Sequence, residues 1–556
     1  MNIFKDRFSE IKKASEPLYK SPKSVQETIE ILKISESGIF EVADGKYSKT
    51  YRFSDVNYAT RSEEEQESFF QRYCRCLNSF DCTFKITVNN KNKDMDVLRN
   101  EVMLKYRNDG FDKMRESYNR IIEEKILEGR QGIEQERYLT ITIERKNFEE
   151  AKAQFATIEA SMFRSFAELG SKLTPLTGNE RLKILHDYYR LGREDEFNFD
   201  IRQGRITGTD FRNEICNTRI KYHPDYFEDE GKVGRVLFIK KYPTYLSDRF
   251  FTELTFLPVH SVTSVDVVPV PKDLTMKMLQ KKYLGIESDI IKQQRTRNRN
   301  NDFSSDISYA TRQKKKDIEE IMNNVRENDE SLYYVSVTMI VMADDRNELE
   351  SICETVDSIA KGAGCAVDTC MYKQREAVNT TLPIGVRQIE TMRTMLTQSL
   401  AVLMPFNVQE LCDRNGIYYG VNQISKNIIV GNRKKLLNGN GFIFGVSGAG
   451  KSFQAKMEMG SVLLSTDDNV IAVDPMNEYE DVTEKYNGTY INISTNTRNY
   501  INPMDMDVWN LDVLDSKGWV RDKCQFMLSI CEQIMKEITP QQRSIISRCV
   551  KDLYMD

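Results

Sequence analysis

Apolar and polar positions along the chain alternate with two periods. GIFEV and YSKTYRF alternate every second residue on either side of Ala43-Asp44-Gly45-Lys46, so an Asp-Gly turn is expected to close a β-hairpin there. YLTITIE, Tyr138 to Glu144, alternates in the same way and predicts a strand. The period then lengthens: Phe148, Ala151, Phe155, Ile158, Met162, Phe166 and Leu169 recur every three or four residues, as the buried face of a helix does. Asn147, with Glu150 three residues on, marks its start, and Gly170 its end. The same succession returns later. YYVSVTMIVM, Tyr333 to Met342, predicts a strand, and Asp345 and Glu348 can cap the next helix. Leu349, Ile352, Val356 and Ile359 form its stripe, and Gly362 and Gly364 end it before a third apolar run, CAVDTCMY. These are two strand-helix-strand units of similar pattern, with helices expected on one face of a mixed sheet. Either the chain holds an internal repeat, or the units look alike because all such α/β units share this grammar.

Between them, GRVLFIKKY and SVTSVDVVPV predict strands around a short helical stretch. Residues 286–329 then change character, with Arg295, Arg297 and Arg299 among asparagines and Lys314, Lys315 and Lys316 leading into an acidic helical run. A solvated helical arm or linker is expected. Contact with phosphate or nucleic acid is the alternative, although no aromatic residues interleave with the arginines to form a stacking platform.

The last part of the chain carries a different pattern. Phe442, Ile443 and Phe444 read as a short buried strand, GVSGAGKS follows, and Phe453 to Leu464 reads as a helix. Val470 to Val473 predicts a second buried strand ending in Asp474 and stopped by Pro475, and Tyr490 to Ile493 another short strand. Val520, Cys524, Met527, Cys531 and Ile534 make a helical stripe. Thr539-Pro540-Gln541-Gln542 opens a final helix whose buried face is expected at Ile546, Cys549, Val550 and Leu553.

Composition narrows what this pattern can be. At 556 residues the chain is long enough for at least two domains, and a net charge of −5 argues against a protein that coats nucleic acid or adsorbs strongly to membranes as a whole. No apolar run approaches the ~20 residues that cross a bilayer, and the N-terminus is too polar for a secretory leader, so a cytoplasmic location is expected. The 11 cysteines include no C-x-x-C pair and read as reduced, structural thiols. Cys74, Cys76 and Cys82 lie close together, but with 3 histidines in the chain a metal site there is not expected.

GVSGAGKS fits G-x-x-x-x-G-K-[ST] through Gly445, Gly450, Lys451 and Ser452. The charge of a triphosphate has to be met by several backbone N–H groups at once. Glycines at 445, 448 and 450 let the main chain of Gly445, Val446, Ser447, Gly448, Ala449 and Gly450 curl around it, and the helix that begins near Lys451 adds its dipole. Lys451 is expected to reach the β and γ phosphates of ATP and Ser452 to ligate Mg2+, with Phe453 next along the helix. Asp474 closes the following strand, where positioning a water, or a group that itself touches the metal, suits it better than orienting the metal. Glu478 is the better candidate for polar work near the γ phosphate. The alternative is that both only cap the turn.

Beyond the loop, PFNVQEL, IYYGVNQISKNIIVGNRKKLLNGNGFIFGVSGAGKS, NVIAVDPMNEY and YINPMDM together resemble the large ATPase of conjugative type IV secretion machines, the VirB-type fourth component, in its Gram-positive conjugative-element (TraE-like) version. KTYRFSDVNY, NERLKILHDYY and TLPIGVRQIE extend the resemblance over nearly the whole chain. It implies an N-terminal mixed α/β docking and assembly domain, 1–395 with the charged insert 286–329, followed by a RecA-like P-loop NTPase domain of the FtsK/HerA clan from 396 to 556. It also implies a peripheral position at the cytoplasmic face of the membrane against the inner-membrane components of the secretion channel, self-assembly into a hexamer or other oligomer, and indirect work on a relaxase-DNA substrate. In this resemblance Gly445, Gly448, Gly450, Lys451 and Ser452 are the phosphate loop, Asp474 and Glu478 occupy the acidic strand-end motif, and the Walker B strand is expected beyond the last helix read here. The motor domain is therefore expected to be incomplete, and hydrolysis by this chain alone doubtful. Two other readings are a scaffold that holds nucleotide without turnover and a related DNA translocase or coupling protein.

Overall fold

A computed structural model of the chain describes residues 22–554 apart from 93–98, 100–101, 129–132, 244, 300–308, 328–329, 414, 424–426, 495–496, 498, 500, 506–515 and 536. The polar N-terminal arm, part of the charged insert, and Tyr500 and Met506 of the YINPMDM motif lie outside the described residues. The chain divides into two compact units, Met1–Phe442 and Ile443–Asp556.

Among the described residues thirteen strands of the first unit form one sheet. They are β1 Lys33–Ile34, β2 Ile39–Ala43, β3 Lys46–Phe53, β4 Thr83–Asn92, β5 Ile133–Glu144, β6 Leu173–Pro175, β7 Ile220–Tyr222, β8 Phe227–Asp229, β9 Lys232–Lys241, β10 Ser261–Val270, β11 Leu332–Ala343, β12 Ala366–Thr369 and β13 Arg393–Leu396. The helices that matter here are α1 Glu63–Asn78, α2 Asp112–Glu128, α3 Phe148–Leu169, α4 Gly178–Tyr189, α5 Arg249–Thr255, α6 Lys272–Arg299, α7 Tyr309–Glu327, α8 Arg346–Gly362 and α9 Gln374–Thr381.

Strand order resolves the question of the repeat. β6 and β5 flank β3, and β4 lies beyond β5; likewise β12 and β11 flank β9, and β10 lies beyond β11. Each set reads strand-helix-strand-strand-helix-strand in the chain and fourth-first-third-second across the sheet, the split βαβ or ferredoxin-like topology. The sets join where β4 pairs with β10, from Ser261 opposite Asn90 to Val267 opposite Phe84. Each also carries its extra helices at the same place, between its second and third strands: α2 in the first set, α6 and α7 in the second. The two units are thus a duplication of one topology. The mixed sheet expected from the sequence is corrected here: every ladder within it is antiparallel, because consecutive long strands pair directly or through strand-helix-strand connections that return across a neighbour.

The crossover helices α1, α3, α5 and α8 share one face, where Phe69, Phe155, Met162, Phe250, Leu349 and Val356 pack on Tyr51, Phe84, Ile141, Val265, Tyr333 and Val335. Helices also cover the opposite face, which the one-sided expectation missed. There, α4 and α9 bring Leu182, Leu185, Ala377 and Val378 against Phe40, Val236, Val262 and Ile340. The predicted helix signals are present. The Asn147 side chain accepts from the Glu150 N–H at 2.9 Å and donates to its carboxylate at 2.8 Å, and Gly170 ends α3 in the left-handed region at φ 79°. Asp345 accepts from the Glu348 N–H at 2.9 Å.

Thr380 and the first residues of the TLPIGVRQIE segment, 381–387, lie on a polar strip of the sheet. The buried Lys85 ammonium donates to the carbonyls of Thr380, Leu382 and Val386, and burial pushes its pKa down to about 8. Arg387 makes a two-pronged pair with Asp266 at 2.8 and 2.9 Å. The PFNVQEL segment is anchored in the same unit. Phe406 meets Phe53, Phe69 and Tyr73 edge-on, and Asp55 accepts from the N–H groups of Asn407 and Val408. A separate hairpin, β14 Ile417–Val421 and β15 Ile428–Gly431, lays Ile428 and Val430 on Tyr118, Ile122 and Ile126 of α2. Residues 396–442 fall in the first compact unit.

Candidate functional site

In the second unit the helices are α10 Lys451–Ser465, α11 Glu480–Lys485, α12 Ser516–Met535 and α13 Pro540–Leu553. Three segments expected as strands, the first two of them buried, are not strands. Phe442 to Phe444, Val470 to Val473 and Tyr490 to Ile493 enter no ladder among the described residues, and Phe444 is 87% and Ile471 93% exposed. An extended apolar run is held by neighbours on both edges and a covered face, and among the described residues no strand flanks these segments. The final helix starts as predicted, with the Thr539 hydroxyl accepting from the Gln542 N–H at 3.3 Å and the Gln542 side chain accepting from the Thr539 N–H at 3.0 Å. Of its expected buried face, Val550 is buried, Ile546 half-buried, and Cys549 and Leu553 exposed.

The glycine loop has the backbone its sequence demands. Gly448 and Gly450 sit at φ 80° and 90°, a region that side chains with a Cβ rarely adopt, while a Cβ at either would meet nothing within 4 Å. The requirement at these two positions is conformational. At Gly445 it is proximity: a Cβ there would come within 3.2 Å of the Ala449 Cβ and the Lys451 Cγ. Gly450 is the N-cap residue of α10 and has no side chain to close the helix mouth, so the first helical bond runs from the Gln454 N–H to the Gly450 carbonyl at 2.9 Å. Amides of the first turn consequently point out of the loop together with the positive end of the helix dipole. Ser452 stands half-buried in that first turn, and Val446 and Phe453 are exposed.

Lys451 folds back across this mouth. Its ammonium donates to the carbonyls of Gly445 at 2.8 Å and Val446 at 3.0 Å, which seat the charge over the loop. The Ser447 and Ala449 positions complete the turn, with the Ala449 N–H donating to the Val446 carbonyl at 3.2 Å. Farther along, α10 lies close to Tyr486, whose hydroxyl would be 2.8 Å from a Cβ at Gly460.

Asp474 behaves differently from Lys451. Its carboxylate accepts N–H groups of its own turn, from Met476 at 3.2 Å, Glu478 at 2.6 Å and Tyr479 at 2.9 Å. Desolvation pushes its pKa up, but the amides of Tyr479, Glu478, Met476 and Asn477 outweigh that and hold it below the usual carboxylate range. Asn477 takes a left-handed φ of 57° to make the turn, and the Glu478 side chain is exposed. Sequence reasoning placed the loop, its lysine and the acidic turn. For Asp474 the observed bonds are those of the turn-capping alternative, for which D-P-x-N was the available signal.

No helix among the described residues is long and apolar enough to cross a membrane. A search of curated proteins finds no match to this chain. Residues 432–550 match the family model described as Helicase HerA, central domain, so this stretch, glycine loop and acidic turn included, is similar to a P-loop ATPase domain of the HerA kind.

Proposed function

We propose that the chain is the ATP-binding motor subunit of a conjugative type IV secretion apparatus, working as an oligomer at the cytoplasmic face of the membrane, against inner-membrane channel components, to energise transfer of a DNA-protein substrate. The HerA match supports a motor of the DNA-translocase type in general. The conjugative assignment rests on the motifs that surround it. A single observation carries the nucleotide reading: two left-handed glycines turn the amides of an uncapped helix outward, with one ammonium folded over them.

In this reading the amides from Val446 to Phe453 receive the phosphates, and Lys451 exchanges its two carbonyl partners for β and γ oxygens. The Ser452 hydroxyl suits Mg2+, a hard cation that keeps most of its positions for water and phosphate oxygens. Bound magnesium supplies charge neutralisation between phosphates. Gly448 and Gly450 hold the cradle open, and Phe453 flanks it. Asp474 holds the following turn in shape so that Glu478 is presented to solvent near the motif. The engagement of Asp474 by its own turn also favours a second reading, a subunit that holds nucleotide without turning it over.

Titration of the purified chain with a fluorescent ATP analogue tests this. Saturable, Mg2+-dependent binding is expected, and Lys451→Ala should weaken it by about 1.5–3 kcal/mol, the worth of a hydrogen bond to a charged group. Binding that is absent, or indifferent to that change, overturns the proposal. Phosphate release decides between motor and holder.

A further inference from the structure

The charged insert is not a loose linker where it is described. α6 and α7 run antiparallel as a helical hairpin inserted between β10 and β11: Glu287 meets Lys315 at 3.0 Å, and Tyr283 donates to Glu319 at 3.2 Å. The Lys315 ammonium also lies 5.1 Å from the centre of the Tyr283 ring. Leu279 and Val325 are buried, with Tyr283, Ile286, Ile290, Ile318 and Ile321 half-buried, so the hairpin consumes its own inner apolar stripes. At ~1.5 Å rise per residue, α6 alone is on the order of 40 Å long.

Its other face is unusual for a solvated arm. Lys277, Lys281, Leu284, Ser288, Ile291 and Arg295 recur at steps of four and three, share one side of α6, and are all exposed. Leu284 is 61% and Ile291 47% exposed, in the middle of a cationic row. Over its whole length α6 carries eight basic side chains against three acidic ones, in a chain whose net charge is −5. The acids do not break the row: Asp273 lies at its base, Glu287 is held by Lys315, and Asp289 stands off its flank beside Lys292. On α7, Arg312, Lys314 and Lys316 are exposed near the same end of the hairpin, with Glu320 beside Lys316.

We infer that this face of α6 lies on an anionic phospholipid surface, with Leu284 and Ile291 entering the headgroup boundary and Lys277, Lys281 and Arg295 meeting lipid phosphates. Charge alone would fit any polyanion. The two aliphatic side chains decide between partners, because against a nucleic-acid backbone they would remain in water, whereas an amphipathic interfacial helix buries such residues between snorkelling lysines. The inference rests on the membrane-peripheral half of the proposed function and is independent of its nucleotide half.

Co-sedimentation of the full chain with vesicles of phosphatidylglycerol and phosphatidylcholine, against phosphatidylcholine alone, tests it. Preference for the anionic vesicles is expected, falling with salt. Lys277→Glu/Lys281→Glu/Arg295→Glu should lower the partition roughly 30-fold or more, and Leu284→Ser/Ile291→Ser about tenfold. All five positions are exposed, so unchanged circular dichroism and an unchanged nucleotide titration are the controls. The inference is overturned by equal binding to both vesicle types or by charge-reversed protein that still binds. It is equally overturned if the aliphatic variant binds as wild type, or if duplex DNA or polyglutamate is captured at a salt concentration where vesicles are not. Loss of nucleotide binding with vesicle binding intact would sink the nucleotide reading alone.

Discussion

Val335 to Val341 in β11 and Val470 to Val473 in the second unit are written in the same local language, apolar runs next to a turn and a helix. The first is fully covered; of the second, Ile471 and Val473 stand almost wholly in solvent. The difference lies in what surrounds them. β11 has β10 along its length on one side, β9 and β13 on the other, and helices above and below. The segment at 470–473 has no ladder partner among the described residues. An apolar run specifies a capacity for burial, and only its neighbours turn that capacity into stability.

The sharpest way to break this comparison is to make the same kind of cut in both places. Phe84→Ala removes a fully buried ring between two ladders and should cost about 3–5 kcal/mol in denaturant unfolding. Ile471→Ala should change stability by less than about 0.5 kcal/mol, as surface substitutions do. A cost at Ile471 comparable with that at Phe84 would show that the segment is covered in solution.

Two carboxylates extend the contrast to pH. Burial pushes Asp229 of β8 up to about 7, opposed by the Asn217 amide that donates to it at 2.7 Å and assisted by Glu230. The folded state thus holds a proton that the unfolded chain releases above about pH 3.9, so stability is present at low pH and is lost as pH rises from about 4 to 7. The loss is up to about 1.4 kcal/mol per unit. Asp229→Asn should flatten that slope. Asp474 works with the opposite sign, its depressed pKa giving stability that is present above the unfolded value and lost as pH falls through the folded one. Denaturant midpoints measured from pH 3 to 8 separate the two windows, and a slope unchanged in Asp229→Asn would refute the assignment.

What could be read from the chain without coordinates follows the same division. Short-range signals were legible wherever they are complete in themselves: the Asp-Gly hairpin at 43–46, the Asn147 and Asp345 caps, the left-handed Gly170 and the Thr539 box. The glycine loop was legible too, since G-x-x-x-x-G-K-[ST] dictates its own backbone. Long-range order was not. Nothing in TFKITVNNKN or SVTSVDVVPV says that β4 pairs with β10 and so joins two copies of one topology, nor that Lys85 crosses to the carbonyls of residues 380–386. The insert shows both effects: its charge pattern announced an exposed helical arm, but the hairpin register that leaves Leu284 and Ile291 outward appears only when Glu287 is seen against Lys315.

The smallest effect separates grammar from packing most cleanly. Asn147 caps α3 in the well-packed unit, and Thr539 caps α13 in the unit with exposed segments; each accepts one N–H of the first turn, at 2.9 and 3.3 Å. A cap acts on backbone groups within four residues and needs no tertiary neighbour. Asn147→Ala and Thr539→Ala should therefore cost nearly the same, about 1 kcal/mol each, although core cuts in the two units differ several-fold. Amide hydrogen exchange in the first turns of the two helices reads this locally, each substitution speeding exchange about fivefold in its own helix. If Thr539→Ala had no effect while Asn147→Ala did, the final helix would not be formed in solution, and the contrast would extend from missing neighbours to missing local structure.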